Sequence, residues 1–128
     1  MANCEIFYHV TTLPNAAPIK TQGLKPAIGP RSRHLGETTP AIYLFGTREE
    51  LDDAVLNWLG EQFDGGSELI FPQLCVPRVI SSQFQRDAFE YRSFRPLPGK
   101  YIYEWFDEHW QPLFLQNENP AASSMLGT

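Results

Sequence analysis

The chain holds no long apolar run and no cationic excess. No stretch of its 128 residues approaches the roughly 18 consecutive apolar residues of a membrane-spanning helix. Lys and Arg total 10 against 15 Asp and Glu, a formal net charge of −5. That balance argues against a general nucleic-acid binder, which would present a basic face. It leaves room for a local basic patch on an acidic body. Cysteine is scarce as well. Cys4 and Cys75 sit in no C-x-x-C pair, and no His/Cys group has zinc spacing, so no metal site is expected. Two free thiols in a reducing cytosol are the plain reading. The opening MANCEIFYHVTT has neither a basic start nor a long apolar segment, so no signal peptide is expected. The expected setting is the cytoplasm, with action inside a host or target cell left open.

What is present suffices for one domain. Hydrophobic residues make up 42% and aromatics 13%, too much apolar content for a disordered chain. The length suits a single domain, expected over 1–115, with 116–128 as a mobile tail of little core content. No internal repeat or heptad pattern is found.

Along the chain, EIFYHV (5–10) alternates as a strand. Ile6, Tyr8 and Val10 share one face, and Phe7 and His9 the other. Bulky groups on both faces predict cover on both sides. A short helix follows, with Asn15 as N-cap, Pro18 in its first turn and Gly23 as terminator. Residues 24–40, rich in Pro and Gly, read as a long loop. AIYLF (41–45) is a second strand, with Ile42 and Leu44 opposite Tyr43 and Phe45. The clearest helix comes next: Thr47 and Glu50 form a capping box, and Leu51, Ala54, Val55, Trp58, Leu59 and Phe63 make an apolar stripe. ELIFPQLCVP (68–77) is strand-like. Pro72 within it predicts an edge strand, a bulged strand or two short ones. AFEYRSF (88–94) alternates again, and PLPGKYIYEWF reads as a Pro-Gly turn followed by a last strand. Trp110 and Leu113 are expected to pack on the body. Strands and short helices without a βαβ rhythm give an α+β class with a strongly bent antiparallel or mixed sheet and short flanking helices.

Three polar residues fall on otherwise apolar strands: His9, Tyr43 and Glu90. Placing such groups in a sheet costs desolvation unless they gain partners or perform chemistry. Each has a plain structural alternative taken singly: a tethered imidazole, a core phenol, an outward carboxylate. Were the strands to meet, an imidazole, a phenol and a carboxylate would share one site. Glu104, in YIYEWF, is the competing acid. Arg31 and Arg33 in the long loop suit a phosphate or merely solubilise the loop.

On these residues the chain resembles the ADP-ribosyltransferases of the diphtheria-toxin and poly(ADP-ribose) polymerase branch. YHVTT is similar to that branch's first strand, AIYLFGTREELDDAVLNW to its second block, and FEYRSFRPLPGKYI to the late strand with a Glu-Tyr pair. The likeness spans about residues 5–103 in the order His, Tyr, Glu. It implies a compact, split-sheet fold and transfer of ADP-ribose from NAD, as co-substrate, to a macromolecule with release of nicotinamide. His9 would bond the adenosine ribose. The backbone of Val10 and Thr11 would read the nicotinamide amide, although the branch usually has Gly where Val10 stands. Tyr43 would stack on the nicotinamide, with Phe45 or Trp58 as a second ring. Glu90 is preferred over Glu104 because its Glu-Tyr neighbour and following turn fit the branch. It would stabilise the ribose cation, and Arg31 and Arg33 would hold the pyrophosphate. The acceptor is left open, with protein preferred to nucleic acid and selection assigned to loops 24–40 and 81–88. Such a small transferase suits an effector or toxin. A related NAD-dependent RNA 2′-phosphotransferase, drawing on Arg31, Arg33 and His34, and a non-catalytic domain that binds NAD or protein, are the competing readings.

Overall fold

A computed structural model describes residues 3–28, 39–59, 68–87 and 90–114, with no description of the side chains of Trp58 and Leu59. Among the described residues, seven strands form two antiparallel sheets. In the larger sheet, the long strand β4 (Leu69–Pro77) is central. It pairs on one side with β1 (Cys4–Tyr8) and β2 (Thr11–Thr12) and on the other with β7 (Ile102–Asp107). In the smaller sheet, β6 (Tyr91–Ser93) lies between β3 (Ile42–Leu44) and β5 (Gln85–Arg86). The α+β class expected from the sequence is the class found.

The two sheets touch at one bridge. Tyr8 and Phe45 exchange two backbone hydrogen bonds, both 2.8 Å. The pleat then sorts the side chains. Phe7, Ile42, Leu44, Ile70, Leu74, Val76 and Leu97 turn toward one core, which α1 (Ala16–Gln22) closes with Ala16 and Ile19. Tyr8, Val10, Phe45, Leu69, Phe71 and Phe106 turn toward a second core beneath α2 (Arg48–Ala54), which adds Leu51 and Ala54. Phe7 and Tyr8 are both buried, so the first strand is covered on both faces. Trp110 caps the second core, its ring centroid 4.8 Å from that of Phe71 and 5.4 Å from that of Tyr8. Leu113 packs on the first core.

Local signals act as the residue types require. The Glu50 amide donates to Thr47 Oγ1 at 3.0 Å, the forward half of the capping box. The return bond shifts by one residue: Glu50 Oε1 accepts from Gly46 N at 3.3 Å. The stripe's helix continues after Ala54 as a π-type turn over Val55–Leu59, which leaves Leu56 exposed. Asn15 precedes α1 as expected, yet its side chain does not cap it. Asn15 Nδ2 donates instead to Thr11 Oγ1 at 2.8 Å. Gly23 ends α1 at φ +82°, a conformation that glycine adopts without a Cβ penalty.

Two expectations are corrected. Pro72 belongs to a continuous, central, nine-residue strand, not to an edge or to two short strands; of the expected alternatives, only the irregularity holds, at a register shift against β7 between Gln73 and Leu74. A strand residue's N–H and C=O point to the same side. The Pro72 carbonyl accepts from His9 N at 3.0 Å, so its missing donor faces the break between β1 and β2, where regular pairing is interrupted. The cysteines are not free thiols either. Cys4 and Cys75 lie on adjacent strands with Cα atoms 5.4 Å apart and form a disulfide. The register that sets Cys4 against Pro77 and Ile6 against Cys75 brings them diagonally together. The expected tail, 116–128, lies outside the described residues. Among the described residues, no helix is long and apolar enough to cross a membrane.

Candidate functional site

The site forms where the two sheets meet. β1 ends at the bridge to Phe45, and His9 follows it directly. The backbone of His9 is held by the Pro72 carbonyl, and its Nδ1 lies 2.9 Å from the Tyr43 carbonyl oxygen. A carbonyl only accepts, so Nδ1 carries the hydrogen. The neutral ring then presents Nε2 as an acceptor. Although part of the residue's surface is open, dense packing around the imidazole lowers its pKa from the ordinary value; the hydrogen bond to Tyr43 opposes the shift without overcoming it. His9 is therefore set as a neutral hydrogen-bond acceptor near pH 7.

Tyr43 lies on β3, opposite Arg92 of β6 in the antiparallel register. Ile42 and Leu44 turn inward, so Tyr43 and Arg92 share the outer face of the small sheet. The Arg92 guanidinium carbon stands 5.7 Å from the centre of the Tyr43 ring. Glu90, two residues before Arg92 and on the same face by alternation, has 0% of its surface exposed. Its Oε2 lies 3.7 Å from Arg92 Nε. The guanidinium also donates to Asp87 Oδ2 at 2.7 Å and to Gln85 Oε1 at 3.2 Å. A buried carboxylate requires a nearby cation, and Arg92 supplies the charge through Nε while its two terminal nitrogens tie Gln85 and Asp87.

Successive contacts link His9, Tyr43 and Glu90: imidazole to the Tyr43 backbone carbonyl, Tyr43 ring to the Arg92 guanidinium, guanidinium to the Glu90 carboxylate. Glu104 lies elsewhere, on β7 opposite Gln73 in the large sheet. Val10 is buried in the second core, and Thr11 is buried with its hydroxyl engaged by Asn15. Phe45 is 1% exposed, its ring enclosed by the second core; what it offers the junction is its backbone. Arg31, Arg33 and His34 lie outside the described residues, and so does the side chain of Trp58. Among the described residues, no three His, Cys, Asp or Glu side chains gather as a metal ion would require.

The residue that sequence reasoning passed over is Arg92. A signal for it existed: in E-Y-R the acid and the cation are two apart, hence on one strand face. What the sequence did not carry was the register that sets Arg92 against Tyr43.

No protein-family model matches the chain, and no curated protein matches it. Among solved structures it is similar to one named EcPltA. The two are 13% identical with a TM-score of 0.53, and the match covers 88% of this chain and 83% of that one. At that identity the likeness is one of fold.

Proposed function

We propose that the protein is an NAD-dependent mono-ADP-ribosyltransferase that modifies a macromolecular acceptor, a protein in preference to a nucleic acid, and releases nicotinamide. The observation that carries this reading is the contact chain His9–Tyr43–Arg92–Glu90 across the meeting of the two sheets. It supports a site in which an acceptor nitrogen, an aromatic face and a buried carboxylate address different parts of one dinucleotide.

In this reading, His9 Nε2 accepts a hydrogen bond from an adenosine ribose hydroxyl. The Tyr43 ring lies against the nicotinamide. The bond from ribose C1′ to the nicotinamide nitrogen breaks, and its electron pair leaves with nicotinamide. Positive charge develops at C1′, and the Glu90 carboxylate opposes it more strongly in the transition state than in the ground state. The acceptor then bonds to C1′ and loses its proton. Arg92 holds Glu90 in place throughout. Arg31 and Arg33 are assigned the pyrophosphate. A disulfide belongs to a chain that folds in an oxidising compartment, so cytoplasmic action falls to a host or target cell, as for an effector or toxin.

The test is incubation with NAD labelled on its adenine side, in lysates supplied as acceptor, with nicotinamide release measured in parallel. The wild-type chain labels a macromolecule and releases nicotinamide. Glu90→Gln loses a hundredfold or more in rate, on the order expected for removing one strong electrostatic stabiliser, while calorimetry still records NAD binding. Full activity in Glu90→Gln overturns the role of that residue. NAD binding without turnover in any lysate overturns the transferase reading in favour of a binding domain. ADP-ribose cyclic phosphate, with the RNA's phosphate bridging two ribose hydroxyls, released from 2′-phosphorylated RNA overturns it in favour of a phosphotransferase.

A further inference from the structure

The ionic residues are segregated far beyond what a net charge of −5 suggests. Residues 6–28 and 91–103 contain no Asp or Glu, yet carry Lys20, Lys25, Arg92, Arg95 and Lys100. Every one of the 15 acidic residues lies outside these two segments. The fold then places the two segments side by side, although some seventy positions separate them in sequence. Leu24 and Leu97 exchange backbone hydrogen bonds of 2.8 and 2.9 Å. The turn Gly99–Tyr101 packs on α1 so closely that a Cβ on Gly99 would stand 2.9 Å from the carbonyl oxygens of both Ile19 and Lys20. Lys20, Lys25, Arg95 and Lys100 are all exposed around this seam. Arg95 lies three residues beyond Arg92 in sequence. Phe94, 46% exposed, stands beside it.

We infer that this face is a docking surface for an acidic protein partner. Charges on exposed side chains act over about 8 Å at physiological ionic strength. A partner whose acidic patch matches the seam in size meets the four cations, while the rest of the chain carries the acidic remainder. An extended polyanion such as a nucleic acid runs past the seam onto that remainder and is repelled there. The composition agrees. Three of the four cations are lysines, point charges on flexible stems rather than an array of guanidinium forks, and Phe94 is one aromatic edge rather than a row of stacking rings. A surface of this kind governs the rate and orientation of encounter more than the final affinity. Docking at this face does not depend on the NAD reading.

Fluorescence anisotropy with a labelled oligoglutamate peptide, without NAD, tests it. The wild-type chain binds at low salt and more weakly at physiological salt. The variant Lys20→Glu/Arg95→Glu/Lys100→Glu binds about tenfold more weakly or worse, as loss and reversal of several surface pairs imply. Arg78→Glu, an exposed cation outside the seam, leaves binding unchanged. Circular dichroism confirms that each variant is folded, and Lys20→Gln/Lys100→Gln gives a milder loss if the charge reversal disturbs the fold. Absence of binding by the wild-type chain overturns the inference. So does an equal loss in Arg78→Glu, or tighter binding to an oligonucleotide of the same charge or to phosphatidylserine vesicles.

Discussion

At the scale of single residues, His9 has the most consequential environment. Burial lowers its pKa from 6.5 in the folded chain. The unfolded chain therefore takes up the proton first as pH falls. The stabilisation is complete above about pH 6.5 and is lost as the pH drops from there toward the folded value. Urea denaturation across this window is expected to show stability falling with pH in the wild-type chain and falling less in His9→Gln. Equal slopes would show that His9 is not held neutral. Gly23 offers a second test. Its φ is +82°, and a Cβ at this position would stand 3.1 Å from Pro98 Cα, so there is no room for a side chain. Gly23→Ala is expected to cost about 1–3 kcal/mol, read from the denaturation midpoint. Its place at the end of α1 was legible, because a glycine after a short helical segment is a stop signal. That its neighbour would be the 97–99 turn was not.

At the scale of elements, the start of α2 was the most readable feature, since its capping box depends on residues three apart; Asn15, read in the same way, does not cap α1. Thr47→Ala removes the acceptor of the Glu50 amide and is expected to lower stability by about 1 kcal/mol, measured by thermal or urea unfolding. Strand periodicity was legible for the same local reason: Phe7 and Tyr8, or Leu44 and Phe45, alternate between two cores as their spacing requires. The rank of a strand within its sheet was not legible. Pro72 argues for an edge on local grounds, and the structure overrides it because the absent N–H falls opposite a gap in the partner. That gap is itself the His9–Val10 segment, so the irregularity that accommodates Pro72 is the one that places His9 at the junction.

At the scale of the whole molecule, the Cys4–Cys75 bond ties β1, and through it the His9 segment, to the central strand. It closes a loop with a sequence separation of 71, and loops of that size are constrained in the unfolded chain by roughly 4 kcal/mol in the chain-entropy view. Cys75→Ser, or wild-type protein in reductant, is expected to unfold with stability lower by about 2–4 kcal/mol; an unchanged midpoint would show that the bond does not form in solution.

The sequence by itself determined the α+β class, the alternation of β1, β3 and β6, the start of α2 and the three polar outliers His9, Tyr43 and Glu90. These depend on neighbours within a few positions, where spacing is chemistry. Only the tertiary structure decided which outliers meet, that Arg92 stands between Tyr43 and Glu90, that Cys4 finds Cys75, and that two acid-free segments fuse into one basic face. Each of these follows from strand register and sheet order, which arise from the packing of the whole chain and leave no trace in any short window of it.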